Sequence, residues 1–152
     1  MRLTRATEYA FRALRFLASR TEQRWYSIQE IGAAEDVPTQ FLAKVMQHLT
    51  QAGIVQSACG KTGGYGLARP ANEISMSEVL EAIEGQLAIN ECLIYPSDCK
   101  FLREGGCRAH GIFKELQSAM LAVLKKYSIA DIAAHPGPRR RDAGAGRNKK
   151  TT

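Results

Sequence analysis

The 152-residue sequence predicts a mostly helical protein with one small β-hairpin, arranged as a winged helix-turn-helix followed by a long C-terminal helix. Two observations indicate the first part. A pair of helical patterns is joined by a short polar break, and a glycine-rich turn between two short apolar runs follows directly behind them. A third observation, a long apolar stripe over residues 107–127, indicates the last helix.

The first predicted helix covers residues 8–17, where apolar side chains recur at helical spacing. Its apolar face consists of Tyr9, Ala10, Ala13, Leu14 and Leu17. The opposite face carries three arginines, Arg5, Arg12 and Arg15. The pattern is therefore that of an amphipathic helix with a basic outer surface.

The next two helices form the predicted helix-turn-helix. Ser27 and Glu30 have the spacing of a capping box, in which a hydroxyl and a carboxylate bond to free amides, so a short helix should run to about Ala34. Pro38 suits the first position of the following helix, where the amide that it lacks would be unpaired. Gly53 ends that helix. Its apolar residues are Phe41, Leu42, Val45, Met46 and Leu49.

The second helix of this pair is the predicted recognition helix. In a helix-turn-helix, this element lies in the major groove of DNA and presents its N-terminal residues to the base edges. The residues expected to contact DNA from it are Thr39, Gln40, Lys44 and Gln47.

Residues 54–68 predict a hairpin whose glycine-rich turn covers 59–64. A hairpin at this place is typical of a wing, whose glycine amides and cationic side chains can contact phosphate oxygens. Lys61 and Arg69 are the candidate cations. Cys59, in the turn, is expected to be an exposed thiol rather than a metal ligand.

The helical pattern resumes beyond the wing. Ser75 and Glu78 form a second capping box, which opens a helix that Gly85 ends. The pattern then dissolves into a predicted loop, which together with Cys107 we call the cysteine loop, residues 87–107. A short terminal helix is predicted over residues 128–134.

The helix after the cysteine loop carries an apolar stripe that would be costly to expose on a single helix. We therefore predict that it packs against its copy in a homodimer. The alternative is that it folds back on its own domain. The stripe consists of Ile112, Phe113, Leu116, Met120, Val123, Leu124 and Tyr127.

These patterns divide the chain into four parts. A winged helix-turn-helix domain covers residues 1–86, the cysteine loop 87–107, and the dimerisation and terminal helices 108–134. Residues 135–152 are rich in Gly, Pro, Arg and Lys and are expected to be a disordered basic tail.

The net charge of +6 is concentrated at the two ends of the chain. Residues 1–70 carry +4, residues 71–135 carry −3, and residues 136–152 carry +5. A basic N-terminal half suits a polyanionic partner such as DNA. The first twenty residues hold charges throughout and no apolar run long enough for a signal peptide or a membrane span, so we expect a cytoplasmic protein.

Three cysteines, Cys92, Cys99 and Cys107, lie within sixteen residues, a cluster that indicates metal ligands or redox thiols in a cytoplasmic protein. His110 follows Cys107 at i+3 and can converge with it on one metal. Glu8 is a second candidate for the fourth ligand. Three thiolates with an imidazole or a carboxylate suit an iron–sulfur cluster or tetrahedral zinc. The alternative is that the cysteines are small buried apolar residues.

In combination, these residues resemble the IscR/NsrR family of bacterial winged-helix regulators over about residues 1–134. The opening Met1-Arg-Leu-Thr4 with Tyr9-Ala10 and Ala13-Leu14 is similar to the family's first helix. Phe41-Leu42, Leu49 and Gly53-Ile54-Val55 are similar to its recognition helix. Gly63-Gly64-Tyr65-x-Leu67-Ala68 is similar to its wing, and Cys92, Cys99 and Cys107 to the cysteines that hold its cluster.

The resemblance implies a homodimer that binds a palindromic operator. It implies an iron–sulfur cluster, either 2Fe-2S with a Cys-x-x-His pair or a cluster with an acidic ligand from the partner's first helix. This sequence offers both fourth ligands, His110 and Glu8, and the choice of 2Fe-2S or 4Fe-4S stays open. The turn departs from the family's Arg-Gly-Pro-Gly-Gly-Gly and has Cys59-Gly-Lys-Thr-Gly-Gly64, so a contact of that arginine is lost or moved to Lys61.

The sequence thus predicts a dimeric repressor whose binding to double-stranded operator DNA is gated by an iron–sulfur cluster that senses redox state, nitric oxide, or iron and cluster supply. One alternative is a zinc or thiol-switch regulator of the same fold. Another is a cluster-carrying electron-transfer protein. An enzyme is not expected, because no nucleophile with a base and no phosphate-binding loop is recognisable.

Overall fold

The computed structural model describes residues 3–22 and 24–135, and the predicted basic tail lies outside them except for its first residue. Seven α-helices and one hairpin are found in this part of the chain, with short 3₁₀ turns at Ala71–Glu73, Glu91–Leu93 and Pro96–Asp98. The helices are α1 (Arg5–Ala18), α2 (Ile28–Glu35), α3 (Thr39–Gln51), α4 (Met76–Glu84), α5 (Lys100–Arg103), α6 (Arg108–Lys126) and α7 (Ile129–Ala134). The strands are β1 (Val55–Ala58) and β2 (Gly64–Leu67). The predicted fold class, mostly helical with a small wing, is confirmed.

Helix α1 lies at the centre and packs against α2, α3, α4 and α7. Its apolar face is buried as its periodicity predicts, with Ala10, Ala13 and Leu14 fully inaccessible. The end of α4 is tied to the start of α1, because the carboxylate of Glu84 accepts hydrogen bonds from the amide of Thr4 and the hydroxyls of Thr4 and Thr7. The core therefore forms around α1.

The predicted capping box opens α2. The amide of Glu30 donates to the hydroxyl of Ser27, and the Glu30 carboxylate accepts from the amide of Ser27. Glu30 also pairs with Arg24 at 2.9 Å. Hydrogen bonds from the Arg24 side chain and the Ser27 amide lower the pKa of Glu30 from its usual 4.5 to about 2.

The turn between α2 and α3 is tight. Asp36 has a left-handed backbone (φ 56°), and the amide of Val37 donates to the carbonyl of Gly32 at 2.9 Å. A β-carbon at position 32 would lie 2.8 Å from the carbonyl oxygen of Val37, so glycine is required there. Pro38 is the N-cap of α3 rather than its first helical residue, because α3 begins at Thr39.

The wing is an antiparallel hairpin whose register pairs Val55 with Leu67 and Ala58 with Gly64. Tyr26 adds a third short segment, since its amide and carbonyl both bond to the backbone of Tyr65, at 3.0 and 2.8 Å. A β-carbon at Gly64 would lie 2.4 Å from the carbonyl oxygen of Tyr26. This close approach fixes the wing against the segment that leads into α2.

The short helix α7 belongs to the same core. Ser128 and Asp131 form a third capping box, and the amide of Ile129 donates to the carbonyl of Ile74 at 2.9 Å. Ile129 is fully buried and α7 packs on α1. The last described helix thus completes the N-terminal hydrophobic core.

The long helix α6 has two distinct apolar faces. One face, which includes Phe113, Met120 and Leu124, is half-buried, and α6 packs on α4. The other is exposed and, with Tyr127 directly after the helix, forms what we call the outer stripe: Ile112, Leu116, Val123 and Tyr127. Two alternatives were considered for this helix. Packing on its own domain describes the half-buried face, and packing on a second copy would involve the outer stripe.

The cysteine loop is more ordered than the predicted irregular loop. It contains two 3₁₀ turns and the four-residue helix α5. The side chain of Gln117 in α6 bonds to the backbone of Leu87 and Ile89, so the start of the loop is anchored to α6. In the described part of the chain, no helix combines the length and the apolar character needed to cross a membrane.

Candidate DNA interface and cysteine site

The predicted DNA-contacting residues of α3 share its outward surface. Leu42, Val45, Met46 and Leu49 bury the opposite face in the core. Because of this packing, the four predicted side chains are exposed: Thr39, Gln40, Lys44 and Gln47. The structure thus leaves the N-terminal end of α3 accessible, as docking of this helix in a major groove requires.

One residue of α3 departs from the prediction. The periodicity assigned Phe41 to the apolar face, but its side chain is 51% exposed. The core takes up Leu42, Val45, Met46 and Leu49, which leaves Phe41 on the flank of the helix. Helical spacing over a single turn does not distinguish the edge of an apolar face from its centre.

Two arginines of α1 hold the end of α2 in place. Arg12 donates to the backbone carbonyl of Glu35, and Arg15 pairs with the Glu35 carboxylate, which is largely buried. These bonds fix the residue that immediately precedes the left-handed turn at Asp36. The basic face of α1 is visible in the sequence, but this role is not.

The two predicted cations of the wing differ in their surroundings. Lys61 is exposed in the turn, as is Cys59. Arg69 pairs with the carboxylate of Glu78 at 2.8 Å and donates to the carbonyl of Glu73 at 3.2 Å. Burial raises the pKa of Glu78, but hydrogen bonds from the Ser75 amide and the Arg69 side chain outweigh it, so the pKa is lowered overall. A phosphate would compete with Glu78 for Arg69.

The structure brings two of the three clustered cysteines together. Cys92 and Cys99 line one cavity of about 210 Å³, with the acidic residues Glu91 and Asp98 also in its wall. Cys107 is the N-cap of α6. All four cysteines of the chain carry free thiols.

His110 lies in the first turn of α6, and its amide donates to the carbonyl of Cys107 at 3.2 Å. Its Nδ1 atom is buried and finds no hydrogen-bond partner among residues 3–22 and 24–135. Glu8, the other candidate ligand, pairs with Arg12 one turn along α1. Within these described residues, no three candidate ligands are already placed around a common point that could hold a metal ion.

Comparison with known proteins identifies the chain. Residues 3–135 match the model of the Rrf2 family, described as iron-dependent transcriptional regulators. The chain belongs to the Rrf2 family. The predicted resemblance to the IscR and NsrR regulators is thereby confirmed.

Relatives of this Rrf2 protein match it over most of their length. Protein aau3 of Rhizobium meliloti is 36% identical over 133 residues, which cover 87% of this chain and 84% of the relative. The HTH-type transcriptional regulator NsrR of Shouchella clausii is 30% identical over 132 residues, covering 87% of this chain and 88% of the relative.

Solved structures share the fold of this Rrf2 protein. CymR, the global cysteine regulator of Bacillus subtilis, has a TM-score of 0.71 at 20% identity and covers 90% of this chain and 99% of its own. An IscR from T. potens has a TM-score of 0.67 at 20% identity, with coverages of 87% and 85%. These structures show the winged-helix fold, and the family match and the relatives make the chain a DNA-binding transcription regulator rather than an enzyme.

The features of this Rrf2 protein that the sequence did not reveal are tertiary contacts. The Gln117 bonds to the cysteine loop join residues about 30 positions apart and follow no spacing rule. The Arg15 contact with Glu35 is of the same kind. The basic face of α1 was a signal in the sequence for the contact of Arg15 with Glu35. No signal in the sequence pointed to the Gln117 bonds.

Proposed function

We propose that this Rrf2 protein is a homodimeric, cytoplasmic repressor whose operator binding is controlled by an iron–sulfur cluster on Cys92, Cys99 and Cys107. The observation that carries the proposal is the buried Nδ1 of His110, which lacks a hydrogen-bond partner among the described residues. A buried polar atom without a partner is costly, and a metal ligand is one of the roles that explain it.

The chemistry of the candidate donors fits a cluster. Cys107 caps the same helix, and its position at the N-terminal end of α6 favours a negatively charged ligand. Helix α6 packs on the turn Glu91–Leu93, which holds Cys92. Cys92 and Cys99 share one cavity and are not joined by a disulfide. Three thiolates and one imidazole are ligands that iron–sulfur clusters use.

A bound cluster would supply a centre that responds to redox state, to nitric oxide, or to iron and cluster supply. Direct packing connects the proposed cluster site to the DNA-binding helix α3. Gln117 ties the start of the cysteine loop to α6, α6 packs on α4, and α4 packs on both α1 and α3. Movement of the loop would thus be transmitted to the recognition helix, and DNA binding would in turn affect cluster affinity.

For the DNA side of the proposal, Gln40 and Lys44 read or position the operator from the outward surface of α3. Gln pairs with adenine through two hydrogen bonds, a contact that discriminates bases by roughly 1 to 3 kcal/mol. Thr39 and Gln47 flank them, and Lys61 contacts phosphate from the wing. Arg69 joins them only if a phosphate displaces Glu78.

For the dimer, the outer stripe of α6 supplies the interface. Ile112, Leu116 and Val123 are exposed along one line of α6, and Tyr127 is exposed directly after its last residue. The other apolar face of the helix is already half-buried. Spacings of four and seven residues keep the three helical side chains on one face, as in helices that pack nearly antiparallel or parallel with a copy. Two-fold symmetry then matches a palindromic operator.

The experiment is a spectrum of the anaerobically purified full chain, followed by DNA binding. We expect a brown protein that contains iron, and that loses colour and iron on Cys92→Ala, Cys99→Ala or Cys107→Ala. Cys59→Ala is the matched control, because this thiol is exposed in the wing and should leave the spectrum unchanged. Duplexes selected from a random library should bind the coloured and colourless forms with different affinity.

Other results would contradict the proposal. Equal affinity of both forms for DNA would remove the gating role, and binding by neither form would favour the electron-transfer alternative. An unchanged spectrum in all three cysteine variants would place the chromophore elsewhere.

A thiol switch is the second candidate. The observation that favours it is that Cys92 and Cys99 face one cavity, as a pair able to form a disulfide would. The structure of an oxidized form of Staphylococcus aureus CymR has a similar fold, at 22% identity and a TM-score of 0.68. A colourless, iron-free protein that forms a Cys92–Cys99 disulfide in mild oxidant, seen by mass spectrometry, would establish this candidate instead. Zinc in the colourless protein would indicate a zinc site.

A further inference from the structure

Phe41 is the large apolar side chain that the helix-turn-helix and wing leave exposed in the described part of the chain. The other exposed large apolar residues lie at the start of α1, in the cysteine loop, or on the outer stripe. A single exposed apolar side chain has no meaning by itself, so the significance of Phe41 depends on its place. The place here is the first turn of the recognition helix.

The packing of α3 determines where Phe41 points. With Leu42 and Val45 buried in the core and Gln40 exposed on the far side, Phe41 lies on the flank between them. Lys44 and His48 follow at i+3 and i+7 and are both exposed on this flank. The phenyl ring thus lies at the edge of an outward surface that also carries the Gln40 amide and the Lys44 cation.

We propose that Phe41 reads thymine, by packing its ring against the C5-methyl group of a thymine in the major groove. This inference rests on the proposed role of α3 as the recognition helix. The thymine methyl is the apolar feature of the major-groove base edges, and phenylalanine is one of the side chains that contact it. An amide at Gln40 cannot make this contact, and Phe41 has no polar atom with which to read any other group.

The two neighbouring residues would then read two parts of one sequence element. Gln40 is suited to adenine N6 and N7, whereas Phe41 is suited to the methyl group of a nearby thymine. Lys44 would hold the adjacent phosphate in place. The operator half-site would therefore contain at least one thymine whose methyl group, rather than its hydrogen-bonding groups, is recognised.

The test uses duplexes selected from a random-sequence library by the full wild-type chain. Each thymine is replaced in turn by deoxyuridine, which removes only the methyl group. At one thymine of each half-site, we expect the substitution to weaken wild-type binding roughly threefold to fivefold, the factor for one methyl group in an apolar contact. Phe41→Ala should show no such loss at the same position, while Phe41→Leu should keep part of it.

The controls separate the possible failures. Since Phe41 is exposed, Phe41→Ala should retain the wild-type thermal unfolding midpoint and oligomeric state, and a change in sedimentation would show that the ring contacts another protein chain, which overturns the proposal. Equal sensitivity of wild type and Phe41→Ala to every deoxyuridine would overturn it too. If Gln40→Ala and Lys44→Ala both bound the selected duplex like the wild type, the recognition helix itself would be wrongly assigned.

Discussion

The side-chain amide of Gln117, in the middle of α6, donates a hydrogen bond of 2.6 Å to the carbonyl oxygen of Leu87. Its Oε1 atom accepts a second bond of 2.9 Å from the amide of Ile89. One side chain thus satisfies two backbone groups at the point where the cysteine loop leaves the domain. The path of the chain towards Cys92 depends on this pair of bonds.

Gln117→Leu should release the start of the cysteine loop. Because it leaves a partly buried amide and carbonyl without partners, we expect the free energy of unfolding to fall by roughly 1 to 3 kcal/mol. Amide hydrogen exchange at Ile89 should become faster. Ser118→Ala is the matched control, since the Ser118 hydroxyl donates to the Lys114 carbonyl of its own helix. Equal exchange at Ile89 in both variants would show that other contacts hold the loop.

Replacing Leu116 and Val123 by Glu should produce monomers in sedimentation, because two carboxylates would be buried in the proposed interface. The matched control is Ser118→Glu with Ala122→Glu, which adds the same charge to exposed positions of α6 outside the outer stripe. It should remain dimeric. Dimers in the first variant would place the interface on another surface.

The fourth cluster ligand is expected to be His110. Its Nδ1 is buried without a partner in the described chain, whereas Glu8 is already paired with Arg12. His110→Ala should therefore change the visible spectrum and shorten the lifetime of the cluster, without loss of the dimer. Glu8→Gln should change neither. A spectrum changed by Glu8→Gln and not by His110→Ala would make Glu8 the ligand. If neither variant changed the spectrum, the fourth ligand would be neither of these residues.

The charge of Glu30 should stabilise the fold only above acidic pH. Bonds from Arg24 and Ser27 lower its pKa from 4.5 to about 2, so the folded state holds the carboxylate ionised where the unfolded chain protonates it. The advantage of the wild type over Glu30→Gln in urea unfolding should be complete above about pH 4.5. It should shrink as the pH falls towards 2. Glu115→Gln, at an exposed position of α6, serves as the control. If the difference in stability between the wild type and Glu30→Gln did not depend on pH, the prediction would be contradicted.

Truncation should distinguish α7 from the basic tail. A chain that ends at His135 lacks six Lys and Arg and one Asp but keeps α7, so it should fold and bind DNA with a weaker salt dependence. A chain that ends at Tyr127 also loses the fully buried Ile129. Removing a buried side chain of this size costs roughly 2 to 5 kcal/mol, which should appear as a lower unfolding midpoint. Equal midpoints would show that α7 adds no stability.

Much of the fold could be predicted because its signals are local. Capping boxes at Ser27 and Ser75 act within four residues, and the structure contains both. The glycine-rich turn predicted the wing for the same reason. The family resemblance followed from the order of such local signals.

The rest depends on packing, which local patterns do not specify. Phe41 and Leu42 are adjacent apolar residues of one helical turn, yet the core buries only Leu42. The apolar residues of α6 form one pattern in the sequence. In the structure they lie on two faces of the helix, because α4 covers only some of them. The Nδ1 atom of His110 is buried and has no hydrogen-bond partner among the described residues, and no spacing rule could predict this burial.

The burial of Ile129 between α7 and α1 also has a consequence for synthesis. A chain leaves the ribosome from its N-terminus, and domains form as their residues emerge. The core around α1 lacks one of its fully inaccessible side chains until residue 129 has been made. By then α6 has been translated entirely, so the N-terminal core can close only after α6 has left the ribosome as well.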